Sequence, residues 1–402
     1  MQLRWLIIGG GLHGVHLAAR LVGEAGVPRQ SVCILDPEAA LLGRWRACTS
    51  VTGMKHLRSP SVHHLAIDPW SLKRFAGKAR SRPPGLFAPP YDRPALHLFD
   101  AHCDQVIQTY GLDELHVRGR ATGVELRCGG VEVETEAGST IEAQRVILAM
   151  GVSEQPAWPE WAPRGDARVR HVFERGFAWP SAAEFGLGAQ VVGVVGGGIT
   201  AVQIALRLIA EGHHVHLLAR HHLRERQFDS DPGWLGPRFM TGFLREQDPD
   251  RRRALITAAR HRGSVPPALR RRIEQAQEAG QASWSEAAVE LLSEWRGSLR
   301  LSLSTGEQLS VDRVLLATGF ESRRPGGAMI DRLVERAGLP CAECGYPLVD
   351  PALRWHPRVH VTGPLAELEL GPSARNIAGA RRTGDRLVDL VRSEGQRSSA
   401  SL

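Results

Sequence analysis

The stretch Leu3-Arg4-Trp5-Leu6-Ile7-Ile8-Gly9-Gly10-Gly11-Leu12-His13-Gly14 decides the fold. An apolar run, three glycines and then helical spacing from Leu12 to about Glu24 predict a strand, a tight turn and a helix. A second apolar run, Ser31 to Leu35, is stopped by Asp36-Pro37 and closes a βαβ unit. The spacing Gly9-x-Gly11-x-x-Gly14 has a mechanical meaning: the first glycine permits the turn, the second lets the backbone approach a pyrophosphate, and the third lets helix and strand pack closely. The helix start adds unpaired N–H groups and the positive end of a dipole. Asp36, ending the second strand, is placed to accept hydrogen bonds from a ribose hydroxyl pair. The unit is expected to grip a dinucleotide.

The plan recurs downstream. Gln190 to Val195 is apolar, Gly196-Gly197-Gly198 forms a turn, Ile199 to Glu211 has helical spacing, and Val215 to Ala219 reads as a strand. Alanine at the third position, Gly196-x-Gly198-x-x-Ala201, is a tolerated variant. From Gly196 to Arg220 is 24 positions and from Gly9 to Asp36 is 27, the excess lying in the longer turn Val27-Pro28-Arg29-Gln30. Where the first unit ends in an acid, the second ends in Ala219-Arg220. A carboxylate repels a 2′-phosphate and a guanidinium binds it bidentately. The second unit is therefore expected to take NADPH, with His221, His222 and Arg224 as further donors, and the first, read as the FAD unit, a dinucleotide without a 2′-phosphate. Two dinucleotides in one chain imply hydride transfer between them.

Between the units, Gln155 to Pro163 is proline-punctuated and reads as a linker, and the proline-rich Gly77 to Pro94 as a surface crossing. Helical spacing covers Arg93 to Tyr110. Strands are expected at Val131 to Thr135, Arg145 to Leu148 (before Ala149-Met150-Gly151), Leu299 to Ser304, Arg313 to Leu316 and Val359 to Thr362, before Gly363. An Arg-rich helical stretch is read from Pro237 to Arg296, and a last helix from about Asn376 to Arg392. The predicted fold is α/β with two Rossmann-like domains: a discontinuous FAD domain, 1–163 plus 308–402, and an NADPH domain, 164–307, inserted into it.

At 402 residues, with 43% hydrophobic and 23% charged residues, the chain has the size and composition of two globular domains. No apolar run approaches a membrane span, and the first residues lack a secretory pattern, so a cytoplasmic protein is expected. The net charge of +7 suits polyanionic cofactors, and no nucleic-acid-binding signature accompanies it. Six dispersed cysteines make no disulfide framework. No feature sets an oligomeric state, and a homo-oligomer is compatible with the sequence.

The order of elements resembles the flavin-dependent monooxygenases with two dinucleotide-binding domains, most closely the N-hydroxylating group acting on ornithine and lysine. Asp312-x-x-x-Leu316-Ala317-Thr318-Gly319-Phe320-x-x-x-x-Pro325 is similar to that family's signature, with Phe320 in place of tyrosine. His56-Leu57-Arg58-Ser59-Pro60 resembles a Leu-Arg-Asp-Pro element near the flavin, and Gly371-Pro372-Ser373-Ala374-Arg375-Asn376-Ile377 a carboxy-terminal flavin contact. The family lysine before the first element has no counterpart; the comparable position falls near Thr52, and the nearest lysine is Lys55. The resemblance implies that NADPH reduces FAD and that a C4a-hydroperoxyflavin then oxygenates a soft nucleophile, most readily an amine. The partners would be a small-molecule substrate and molecular oxygen. Lys55, Arg58 and Asn376 are expected to line the pocket. Leu57, Gly151, Thr200, Thr318, Gly319, Gly363 and Asn376 are added to the two glycine sets as cofactor contacts.

Other readings carry less. Cys341-x-x-Cys344 suggests a flavin-linked dithiol, or, with His356 and His360, a zinc site that Pro357 disfavours. His171 to Pro180 faintly resembles a Baeyer–Villiger fingerprint with unfitting spacing. The histidine pairs 63–64, 213–214 and 221–222 are expected at the surface, and the triplets Arg251-Arg252-Arg253 and Arg270-Arg271-Arg272 on solvated helix faces. The enzymatic alternative is an NADPH-dependent disulfide or carrier reductase; a non-catalytic dinucleotide-binding protein is the third reading.

Overall fold

The computed structural model of the chain describes residues 3–179 and 188–400, with the backbone alone over 397–400. Met1, Gln2 and Pro180 of the sequence reading lie outside the described residues.

Two parallel-stranded sheets organise it. The first carries β1 (Leu3–Ile8), β2 (Val32–Asp36), β3 (His116–Arg118), an antiparallel meander β4 (Ala121–Leu126), β5 (Val131–Thr135) and β6 (Thr140–Leu148), and, from the far end of the chain, β15 (Arg354–His356) and β16 (Val359–Val361). Its order is β15-β16-β6-β1-β2-β3, with β4 and β5 folded off β6. β1 lies parallel to β2 and β6, pairing Ile8 with Leu35 and with Leu148. Alternate residues of these strands bury on opposite faces. Trp5, Ile7 and Ile34 pack under α1 (Leu12–Gly23) and α3 (Leu96–Tyr110), between which the chain forms α2 (Gly43–Thr52). Leu6, Ile8 and Leu35 pack against the far segments around 329–374. A sheet covered on both faces explains why β1 is continuously apolar from Trp5 to Ile8.

The second sheet has the order β10-β9-β8-β14-β7, all parallel: β7 (Val169–His171), β8 (Val191–Val195), β9 (His214–Ala219), β10 (Ala282–Glu286) and β14 (Arg313–Leu316). A three-stranded antiparallel layer, β11 (Val289–Trp295), β12 (Ser298–Leu303) and β13 (Gln308–Val311), packs below it, and α4 (Ile199–Ala210) above. The sequence ended the inserted domain at 307. Strand β13 pairs with β12 in the antiparallel layer and β14 with β8 in the second sheet, so 308–316 stays with that sheet and its layer. An apolar strand can serve either sheet, and only its non-local partner decides which.

The stretch 237–296 also differs. It forms three helices, α5 (Pro237–Arg245), α6 (Pro249–Ala259) and α7 (Pro267–Glu278), and then β10 and β11 rather than more helix. The prolines explain the breaks, each standing at the first helical turn. Helices α5 and α6 dock on the first domain, where Met240, Phe243 and Ile256 bury against Ala342, Tyr346 and Leu368. Helix α8 (Gly327–Ala337) follows the return, and α9 (Ile377–Ala400) packs along α1. No helix among the described residues is long and apolar enough to cross a membrane.

Candidate functional site: two glycine cradles and the cleft between them

The first cradle is built as the spacing requires. Gly9 has φ +114°, and a Cβ there would stand 2.7 Å from the Ala149 carbonyl oxygen. A Cβ on Gly14 would fall 1.8 Å from the Gly9 oxygen, so α1 and β1 approach to backbone contact. Gly11 caps α1, and nothing lies within 4 Å of where its Cβ would be. That open space beside a helix amino terminus fits a diphosphate. Asp36 accepts from Gly10 N at 2.6 Å and Glu38 N at 2.9 Å, which fixes its carboxylate at the rim. Gly151 is exposed nearby, beyond the end of β6. On the other side stands Gly363, φ +62°, its Cβ position 3.7 Å from the His13 ring. His13 Nδ1 bonds Thr362 Oγ1 at 2.8 Å, and burial pulls its pKa down to about 4, so the ring is neutral near pH 7.

The second cradle repeats the geometry with a wider fit. Gly196 has φ +150°, with its Cβ position 2.4 Å from the Ala317 oxygen and 3.4 Å from Ala201 Cβ, room enough for alanine at the third position. Gly198 caps α4, with Thr200 half-buried in the first turn. Its approach is shared: a Cβ on Gly198 would meet Gly263 Cα at 3.4 Å, and one on Gly197 would meet the His221 ring at 2.7 Å. The histidine pairs read as surface thus differ in fate. His221 lies on the turn, and His64 is fully buried, its Nε2 bonded to Pro69 O at 3.0 Å. Arg220 is exposed.

The two crossings between domains run side by side. Pro156 bridges Phe320, Ala157 N donates to Gly319 O, and Glu321 N donates to Gln155 O. Within the Asp312–Pro325 signature, Asp312 staples strands, accepting from Val191 N at 2.8 Å. Thr318 Oγ1 donates to Ala157 O at 2.5 Å, so its hydroxyl holds the hinge. Phe320 stacks on Phe173 with centroids 5.1 Å apart.

The expected pocket residues separate. Lys55 is exposed, and Leu57 is buried with its N–H on Pro94 O. Arg58 reaches into the second domain, donating to Gln227 O, Arg226 O and Ser264 Oγ at 2.7–2.9 Å. Asn376 donates to Asp229 Oδ1 at 3.3 Å across the same boundary. Asp229, which the sequence did not single out, also lies 4.0 Å from Arg260, and its charge is felt at His63 and Arg58. His63, Arg58, Asp229, Arg260 and Asn376 thus gather where the domains meet. Asp229 sits in an ordinary-looking turn with no helix or strand pattern, and the one available signal was its acid amid a basic stretch.

A second boundary contact corrects the arginine triplet. Arg251 is exposed, but Arg252 pairs with Glu369 at 3.2 Å, and Arg253 and Arg375 both bond the fully buried Glu367. Burial raises the Glu367 carboxyl, but hydrogen bonds and charge from Arg375 and Arg253 outweigh it and hold the group below its ordinary value. All six thiols are free. Cys341 lies 3.7 Å from Arg324 Nη1, and burial pushes its thiol up despite that neighbour.

Among known proteins, residues 6–153 match the FAD-NAD(P)-binding family, and residues 101–248 match the pyridine nucleotide-disulphide oxidoreductases. No curated protein sequence matches the chain. Similar solved structures include an ornithine N-hydroxylase from Kutzneria sp. 744 (TM-score 0.75, 15% identity, 98% of this chain and 100% of that one). L-lysine 6-monooxygenase from Pseudomonas syringae follows (0.71, 18%, 98% and 99%), and a bacillithiol disulfide reductase from Bacillus cereus shares the fold more distantly (0.62, 18%, 98% and 100%). Two segments that together span residues 6–248 thus match an FAD-NAD(P)-binding and a pyridine nucleotide-disulphide oxidoreductase model, and the whole chain has the fold of flavoproteins with two dinucleotide-binding domains.

Proposed function

We propose that this protein is an NADPH-dependent, FAD-containing monooxygenase that N-hydroxylates an amine. The observation that carries the reading is the pair of cradles in separate domains, with one acid at their junction, Asp229, held by Asn376 at 3.3 Å and 4.0 Å from Arg260. Gly9, Gly11, Gly14, Asp36, Leu57, Gly151, Gly319 and Gly363 would hold FAD; Gly196, Gly198, Thr200 and Arg220 would receive NADPH. Thr318 serves the hinge between them. Bound, the two cofactors supply a two-electron reduction and activate oxygen. The balance is amine, O2, NADPH and a proton in; hydroxylamine, water and NADP+ out. The chain's own part is to orient and to exclude water. Asp229 is suited to attract an ammonium group into the cleft, while Asn376, bonded to it, keeps that carboxylate facing the opening of α9.

The disulfide-reductase family match over residues 101–248 favours a second reading, a disulfide or carrier reductase, whose relay would be Cys341 and Cys344 outside that segment. Against it, a relay thiol needs a depressed pKa, and that of Cys341 is raised.

The test is a purified protein titrated anaerobically with NADPH, then given oxygen and a panel of amines and thiols. A yellow protein that bleaches and then yields hydroxylamine in step with NADPH consumption supports the proposal. Reduction of a disulfide acceptor, abolished in Cys341→Ser, would instead establish the relay.

A further inference from the structure

An arginine-lined cavity of about 700 Å³ opens beside the second cradle. Its walls come from the segment after β9, from α6 and from α7, and they include Arg224, Arg226, Arg260, Arg262 and Arg270 against one acid, Glu225. Arg270 is paired with Glu274 at 2.8 Å and Arg260 stands 4.0 Å from Asp229. Arg224, Arg226 and Arg262 have no carboxylate within ion-pair distance among the described residues. Arg260 sits with its pKa lowered by burial and by the Arg375 charge beside it. Like charges gathered in a concave wall without counter-ions destabilise one another, and an anion relieves that repulsion.

The cavity adjoins the phosphate cradle. Gly263 lies on the Gly198 turn, and its chain neighbours Arg262 and Ser264 both line the cavity. His221 packs on Gly197, and His222 lines the cavity. Arg220, the residue that strand-end position alone selects, does not line it, whereas the equally exposed Arg224 and Arg262 do. From the first domain, Arg58 holds the wall in place through Arg226 O, Gln227 O and Ser264 Oγ.

Resting on the reading of the second cradle as a nicotinamide-dinucleotide site, we infer that this cavity receives the 2′-phosphate of that cofactor, with Arg224 and Arg262 as the specificity-determining residues in place of Arg220. A phosphomonoester brings nearly two charges and three acceptor oxygens, and two guanidinium groups without a carboxylate partner match that demand, Arg262 being steadied by Ser322 Oγ at 3.0 Å. The cofactor then binds across the domain boundary, since Arg58 shapes the wall that its phosphate meets.

Calorimetry on the flavin-loaded protein tests this, with NADP+, NAD+, 2′,5′-ADP, 5′-AMP and inorganic phosphate as probes. The wild type is expected to bind NADP+ and 2′,5′-ADP well above NAD+ and 5′-AMP. Arg224→Ala and Arg262→Ala should each weaken NADP+ roughly tenfold or more, as loss of a charged hydrogen bond does, and leave NAD+ within about twofold. Arg220→Ala should change NADP+ by less than about threefold. The inference is overturned if the double variant, with unchanged flavin content and melting temperature, binds NADP+ as the wild type does, or if NAD+ suffers equally, or if Arg220→Ala carries the loss. Tight inorganic phosphate without discrimination between 2′,5′-ADP and 5′-AMP would make the cavity a general anion site and also overturn it. A wild type that binds none of the nucleotides would bring down the reading of the second cradle itself.

Discussion

The two cradles share a plan and differ in tolerance. In the first, α1 is pressed so close to β1 that the third glycine has no room for a methyl group, and the space beyond Gly11 is open. In the second, the third position already holds a buried alanine, and the space beyond Gly198 is bordered by Gly263. The first is therefore tight beneath and open above, as suits a cofactor that stays. The second is looser beneath and walled above, as suits one that enters, is used and leaves. The wall itself hangs on the first domain through Arg58, so the looser cradle borrows rigidity from its neighbour.

Substitutions can break this contrast, the largest effect first. Gly14→Ala forces a Cβ into the Gly9 oxygen; the backbone must part, and a loss of about 3 kcal/mol or more with failure to retain flavin is expected in thermal and urea melts. Glu367→Gln leaves Arg253 and Arg375 facing a neutral group, and should cost roughly 3 kcal/mol and loosen α5 and α6 from the first domain, visible as faster hydrogen exchange there. The sign of the pH effect follows from the depressed carboxyl. Its stabilisation is complete above the unfolded value of about 4.3 and is lost as the pH falls toward the folded one. Acid unfolding of the wild type should thus steepen below about pH 4, and that component should vanish in the variant.

Gly11→Ala sharpens the comparison from the other side. Gly11 has φ −77° and nothing within 4 Å of its Cβ position, so the melt should hardly move while flavin affinity drops roughly tenfold or more by equilibrium fluorescence. Gly198→Ala should spare flavin and weaken NADP+ instead. The smallest effect belongs to Ala201→Gly. It makes the second cradle resemble the first in sequence, yet should cost about 1 kcal/mol from helix propensity and leave both cofactors bound. A large flavin loss in Ala201→Gly would show that the two cradles are less independent than their geometry suggests.

What the sequence determined by itself was whatever depends on local spacing. A glycine pair two residues apart after an apolar run, with a glycine or alanine three further on, leaves few alternatives to a strand-turn-helix grip, and so both cradles, β2 with Asp36, and β9 with Ala219-Arg220 were legible. What required the tertiary structure was every choice between partners far apart in the chain. Strand β14 could pair with either sheet, and it took β8. Arg253 looked like one of three solvated charges until α6 set it against a buried glutamate 114 positions on. Arg58 read as a pocket residue and instead reaches 206 positions to Ser264. A charged side chain carries no record in the sequence of which distant group satisfies it, because that pairing is decided by how the domains dock.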